Sequence, residues 1–411
     1  MILASFLRCY VLSDVFPLYL LTNLWKLDKL KTMFQNASEI LTLIISAIVQ
    51  WLFYRKPLPK DYAPERILVI KLDHLGDVLL ATPVFSNLRL AYPNTELHAL
   101  TGTWGRVILE NHPDVDKVLE YNSPAFCRSD QPTSFKNALQ LYRQLRQHKY
   151  DLLVELRGDW RTLCFALLRV TPRCLNRASL QIANKLGFPR FSGTHETVRN
   201  LDVLRRSGIP TPIETTTFSI EKENEKWASN FLKMHQIQIE QPFIVIHPGS
   251  PIPLKRWELG RYAELADWLI AQKRAKILFV GVKDEIPIIN KIQNLMQGKA
   301  INIAGKTNIT QLASILQVCS MFIGNDSGPM HLAAAVGTRT IGLYGPSDPK
   351  RFGPVGNKCQ TIQKKFDCPP CLGSTCRFGT EGCMSQIQVT DVIQTIENFE
   401  KFTGTNLSQL K

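Results

Sequence analysis

The sequence predicts an α/β chain: two Rossmann-like domains with parallel sheets facing across a cleft, preceded by an apolar helical extension. Three observations carry this. Strand-like apolar runs alternate with helix-like runs from Arg66 onward, and the series restarts near Phe243. Within each half, polar glycine-containing loops follow the strands, the edge where open α/β sheets bind ligands.

The extension comes first. Met1 to Trp25 is apolar but broken by Arg8, Asp14 and Pro17, and it lacks the basic start and small-residue cleavage site of a secretory signal. In "ILTLIISAIVQWLFY", Ile40 to Tyr54, the polar Thr42, Ser46 and Gln50 share one narrow helical stripe. The stretch is short for a membrane span and is followed by Arg55, Lys56 and Lys60. It reads as a helix seated at a membrane surface, at the inner face of the cytoplasmic membrane, or as one packed on the protein itself. "PLPKDYAPER" is a linker, giving expected segments 1–60, 61–225, 226–385 and a terminal helix within 386–411.

The first half opens with the strand "RILVIKL", the loop "DHLGD" and one helix over "VLLATPVFSNLRLAYP". Strands "TELHALTG", "KVLEY" and "YDLLVEL" follow, with a helix from Phe135 to Gln147. The polar stretch from Glu214 to Glu240 joins the halves. In the second half "FIVIHPGS" is a strand into a loop, Gly260 to Lys273 a helix and "AKILFVG" a strand. "AINIAG", "CSMFIGND" and "RTIGLYGPSD" continue the strands, with a helix from Ile309 to Leu316. "IGNDSGPMHLAAAVG" is a strand-to-helix turn in which Asp326 or Ser327 caps the helix and Pro329 suits its start. Free N–H groups and the positive helix end there favour an anion.

Composition narrows the partners. The 411-residue chain carries a net charge of +14, which suits nucleic acid, anionic membrane or phosphorylated small molecules. Nucleic acid is the poorest fit, since the basic residues are scattered and no binding signature appears. Neither GxGxxG nor GxxxxGK[ST] occurs, so the dinucleotide and P-loop classes lose support. Ten cysteines, six of them dispersed, favour a reducing compartment over a disulfide scaffold. Cys368, Cys371, Cys376 and Cys383 form a CxxC-type run compatible with structural zinc, at tighter spacing than a zinc ribbon.

Taken in order, "KLDHLGDVLLATPVFSNLR", "HPGS…KRW", "GNDSGPMHLAAAVGTRTIGLYGPSDP" and the spaced cysteines resemble glycosyltransferase family 9, the ADP-heptose:lipopolysaccharide heptosyltransferases, from about Glu65 onward. The resemblance implies the GT-B architecture, with donor binding mainly by the second domain. Asp326, Ser327, Gly328 and His331 would hold the diphosphate of a nucleotide sugar, and Ser250 would contact a phosphate. Lys255 would face the diphosphate as it leaves, with Arg256 sharing that task. Asp284 or Glu285 would lie near the adenosine, and Asp326, being an anion, would cap the helix or bind a sugar hydroxyl. Asp77 aligns with the catalytic base, kept ionised by the helix start, with Lys71 and Asp73 flanking it and His74 as a rival base.

The expected activity is therefore inverting transfer of a heptose or related sugar to a lipopolysaccharide, glycolipid or polysaccharide hydroxyl, with no cofactor required. Two other classes share these features: a sugar-nucleotide epimerase or hydrolase of similar fold, which needs no acceptor, and a non-catalytic sugar-nucleotide-binding protein, which needs no Asp77.

Overall fold

Both expected sheets are present, and every strand pairing in them is parallel. The structure is a computed structural model. It describes residues 61–122, 134–167, 171–177, 195–237, 241–365, 367–368 and 376–403, with residues 45, 58 and 59 in the leader. The chain divides between Glu214 and Thr215 into two units.

The first unit holds β1 (Arg66–Lys71), α1 (Leu75–Leu79), α2 (Thr82–Ala91), β2 (Glu96–Thr101), α3 (Thr103–Leu109), β3 (Lys117–Glu120), α4 (Phe135–Gln147), β4 (Leu152–Glu155), α5 (Trp160–Leu167), β5 (Cys174–Asn176) and α6 (Glu196–Arg205). Its strands lie in the order β3-β2-β1-β4-β5. Chain order reverses between β1 and β4, so the loops leaving those two strands flank a switch point. Leu68, Ile70, Leu100, Leu145 and Leu153 build one face of the core. Ile45 is helical and packs, partly buried, against this cluster. At that position the leader rests on the protein; the rest of the apolar stretch lies outside the described residues.

The single helix expected after "DHLGD" is two helices. Pro83 stands in the first turn of α2, where a missing N–H costs nothing, but it cannot continue the ladder from α1. Thr82 Oγ1 donates to Leu79 O at 2.8 Å across the break. The acidic pair around Val115 is structural: Asp114 accepts from Ser86 at 2.7 Å, and Asp116 from Arg89 at 2.6 Å.

The second unit holds α7 (Lys222–Met234), β6 (Phe243–His247), α8 (Leu259–Lys273), β7 (Lys276–Phe279), α9 (Ile286–Leu295), β8 (Ile301–Asn302), α10 (Ile309–Val318), β9 (Met321–Asn325), α11 (Gly328–Ala335), β10 (Thr340–Tyr344), α12 (Pro349–Phe352), β11 (Cys359–Gln363) and α13 (Val389–Thr403). The sheet order is β11-β10-β9-β6-β7-β8, with its switch point between β6 and β9. Strand β11 was not expected from the sequence: it is a half-exposed edge with no apolar run. Among the described residues no helix is long and apolar enough to cross a membrane.

Asn325, fully buried at the end of β9, ties this switch point together. Its Nδ2 donates to Pro248 O at 2.8 Å and Gly249 O at 3.2 Å. Its Oδ1 accepts from Trp257 N at 3.1 Å and Tyr262 Oη at 2.9 Å. Trp257 in turn stacks edge-on against Tyr262 at 4.9 Å and donates from Nε1 to Ile387 O at 2.9 Å. Asn325→Asp keeps the shape but turns a carboxylate oxygen on two carbonyls. With each of the two orphaned carbonyls costing about 1–3 kcal/mol, the substitution should lower stability by roughly 2–6 kcal/mol, read as a lower urea midpoint. An unchanged midpoint would remove Asn325 from this role.

Candidate active site

Every loop at the β6–β9 switch point contributes a side chain that the sequence singled out. Ser250, buried, follows β6; its Oγ accepts from Ile252 N at 3.2 Å. A 3-10 turn at Pro253–Lys255 then delivers Lys255 to Asp326, Nζ to Oδ2 at 2.5 Å. Ser347, after β10, donates to the same carboxylate oxygen at 2.5 Å. This corrects the expectation that Asp326 caps the helix. It neither caps α11 nor stands free, because a buried carboxylate needs a cation and a donor, and Lys255 and Ser347 supply both. Lys255, expected to face a phosphate, is thus held in place by an internal anion while its side chain remains partly exposed.

Ser327 occupies the N-cap position of α11, yet its hydroxyl makes no cap bond. Gly328 is the first helical residue, Pro329 the second, and His331 is buried on the helix one turn in. The N–H groups at this helix start carry the partial positive charge expected of an anion site.

The structure separates the two acidic candidates after β7. Asp284 is exposed, whereas Glu285 is buried and turned to His247, Oε2 to Nε2 at 3.1 Å. Burial works to raise the Glu285 carboxyl, but the hydrogen bond from His247, together with the charge that imidazole carries when protonated, outweighs it and holds the group below the usual carboxylate range. Two glycines make room: a Cβ on Gly249 would fall 1.8 Å from Glu285 Oε1, and one on Gly281 2.6 Å from Oε2.

In the first unit the β1–β4 switch point gathers charge of both signs. Lys71, buried at the end of β1, pairs with Asp73 at 3.0 Å and donates to Leu156 O at 3.4 Å. Arg157 pairs with the other oxygen of Asp73. Burial opposes an ionised Asp73, but Lys71 and Arg157 win and lower it. Glu155, at the end of β4, is fully buried and accepts from Thr162 Oγ1 at 2.6 Å and from the N–H groups of Arg157 and Gly158, each at 2.9 Å. Gly158 has φ +76°, a left-handed backbone that brings the loop back onto that carboxylate. Arg177 bonds Leu156 O at 3.2 Å and Asn200 Oδ1 at 3.0 Å and pairs with Glu196.

Asp77 sits in the first turn of α1, behind His74 at the N-cap position. It is therefore not the capping residue. Its carboxyl is raised rather than held ionised by the helix start: burial is the largest cause, and Asp73 and Glu196 add to it against Lys71 and His74. A short helix supplies a weak field, and one cation already claimed by Asp73 does not offset desolvation.

The sequence reading passed over Asn325, Ser347, Arg157, Arg177 and Glu196. Asn325 and Ser347 lie inside motifs it quoted, and "ELRGD" after a strand was the remaining available signal. Of the cysteine run, Cys368, Cys376 and Cys383 carry free thiols and Cys371 lies outside the described residues. Among the described residues no group of three or more His, Cys, Asp or Glu side chains is placed to hold a metal ion.

Known proteins resemble this chain in sequence and fold. The profile "Glycosyltransferase family 9 (heptosyltransferase)" matches residues 138–381. Lipopolysaccharide heptosyltransferase 3 of Escherichia coli K12 is 29% identical over 283 residues, covering 66% of this chain and 80% of its own. The solved glycosyl transferase family 9 protein of Veillonella parvula DSM 2008 superposes with a TM-score of 0.73 at 25% identity, over 84% of this chain and 99% of that one. The E. coli ADP-heptose lps heptosyltransferase II shares the fold at a TM-score of 0.61 and 22% identity, over 83% of this chain and 100% of that one. A profile match spanning more than half of the sequence, over the loops that build the β6–β9 switch point, establishes that this chain is a glycosyltransferase belonging to family 9, the heptosyltransferases.

Proposed function

We propose that the chain transfers a heptose from an ADP-heptose-like donor to a hydroxyl of a lipopolysaccharide acceptor, with inversion at the anomeric carbon. The observation that carries the reading is the β6–β9 switch point, where Lys255, the Ser327 hydroxyl and the start of α11 converge. A diphosphate there meets one full charge, helix N–H groups and a hydroxyl, and Glu285 is the acidic group for the nucleoside side. Donor binding then draws Lys255 from Asp326 toward the phosphates.

Asp77 is the base of this reading. The acceptor oxygen attacks the anomeric carbon as its proton passes to Asp77. The bond from that carbon to the diphosphate breaks, leaving its electron pair on a phosphate oxygen that Lys255 neutralises. A carboxyl raised by burial is a stronger proton acceptor than an exposed one, which suits this task. The reading requires no cofactor, and a lipid-linked acceptor places the reaction at a membrane face. Incubation with ADP-heptose and heptose-deficient lipopolysaccharide should raise the acceptor's mass by one heptose. Hydrolysis of the donor with the acceptor unchanged would overturn the proposal.

Lys255→Ala removes a charge-assisted contact of roughly 1.5–3 kcal/mol and leaves Asp326 unpaired against the diphosphate. ADP affinity should fall about 10- to 100-fold by calorimetry. Unchanged affinity would exclude Lys255 from the donor site.

Asp77→Asn separates base from scaffold. The folded-state carboxyl lies above its unfolded value, so its stabilising contribution is full below the unfolded value and lost as pH rises through the folded one. Where the group is ionised it costs stability, and Asn removes that cost. The melting temperature should hold or rise while kcat drops about 10²- to 10⁴-fold. In the wild type, the acid limb of the kcat profile should lie above the ordinary aspartate value of about 4. A folded variant with normal turnover would move the role to Asp73 or His74.

A further inference from the structure

His247 bridges two groups that the donor-site reading uses separately. Buried at the end of β6, it places Nε2 3.1 Å from Glu285 Oε2 and Nδ1 3.1 Å from Ser327 Oγ. Glu285 is fixed from its other side, because Val282 N–H donates to Oε2 at 2.9 Å. The Ser327 hydroxyl has one hydrogen and two acceptors within reach, His247 Nδ1 and Asn325 O, the latter at 3.0 Å.

The hydrogens can be assigned in two ways. An ionised Glu285 accepts from Nε2–H in both. With His247 neutral, Nδ1 is bare and takes the Ser327 hydrogen, which turns the hydroxyl away from any ligand. With His247 protonated, Nδ1–H donates to Ser327 Oγ, and the hydroxyl hydrogen is released to Asn325 O or to an anion in front of α11. The second state also adds a positive charge beside that anion.

We propose that His247 is a positioning residue of the donor site: a nucleoside diphosphate at the start of α11 draws a proton from solvent onto His247, which turns the Ser327 hydroxyl toward the ligand. The proposal rests on the reading of these loops as the donor site. Charges from each neighbouring element bear on it. Glu285, from the turn after β7, favours the imidazolium. Arg256 opposes it, with Nε bonded to Ser250 O at 2.8 Å and its charge acting on Glu285. Lys255 and Asp326 offset one another as an ion pair, Asp284 is exposed, and His331 on α11 is the other titratable group.

The test is calorimetry of ADP binding to the full chain from pH 6 to 8.5, in paired buffers of different ionisation enthalpy. Wild-type protein should take up as much as one proton on binding, so affinity falls by up to about tenfold per pH unit where uptake is complete. His247→Gln should bind ADP more weakly and lose the uptake beyond that of the nucleotide itself. Glu285→Gln keeps an acceptor at Nε2 but not its charge, so the uptake should move to lower pH; this variant carries the test if His247→Gln does not fold. Equal uptake in wild type and both variants overturns the proposal alone. A wild-type protein that binds neither ADP, GDP nor UDP overturns the donor-site reading and the proposal with it.

Discussion

The four hydrogen bonds of Asn325 hold the second unit's ligand edge in one conformation. A carboxamide is the one side chain here with two donors and a carbonyl acceptor in a plane, and all are used. It locks the loop after β6 to the end of β9 and anchors Trp257, and through Trp257 the chain at Ile387. Ser250, Lys255 and Ser327 owe their mutual positions to this clamp. Because Asn325 is fully buried, each bond is costly to lose, which makes the arrangement rigid rather than adaptable.

Charge is handled differently at the two switch points. In the second unit the buried anions are satisfied: Asp326 has Lys255 and Ser347, and Glu285 has His247 and a backbone N–H. In the first unit Asp73 pairs directly with Lys71 and Arg157, and at Asp77 burial and like charges outweigh Lys71 and His74. The same residue type is a fixed structural anion in one place and a raised carboxyl in the other, and the local supply of cations decides which. A satisfied carboxylate presets a cation for an anionic ligand. An unsatisfied one is suited to accepting a proton.

Much of this was legible in the sequence. Strand–helix alternation, the repeat of that series and the polar loops after strands are local patterns, and the sheets followed from them. The phosphate-suited turn at "NDSG" and the lysine of "KRW" were likewise visible, since helix starts and cation-bearing loops have local signatures. The helix Phe135–Gln147 carries its own apolar periodicity and a Ser134 cap, and its ends agree with the reading. The break between α1 and α2 is also encoded, in Pro83, which outweighs the continuous apolar pattern around it.

Tertiary structure decided the rest, because partners distant in sequence set each group's state. Strand order created the two switch points, placing His247 beside Ser327, 80 positions apart, and Lys255 on Asp326, 71 apart. No local pattern distinguishes Glu285 from Asp284; the space left by Gly249 and Gly281 does. The raised Asp77 carboxyl likewise depends on Glu196, which reaches it only through the fold. The sequence determines which chemical groups stand at the strand ends, since that follows from local periodicity. Which of them are paired, buried or left to react is fixed by long-range packing, since desolvation and Coulomb interactions depend on distance in space.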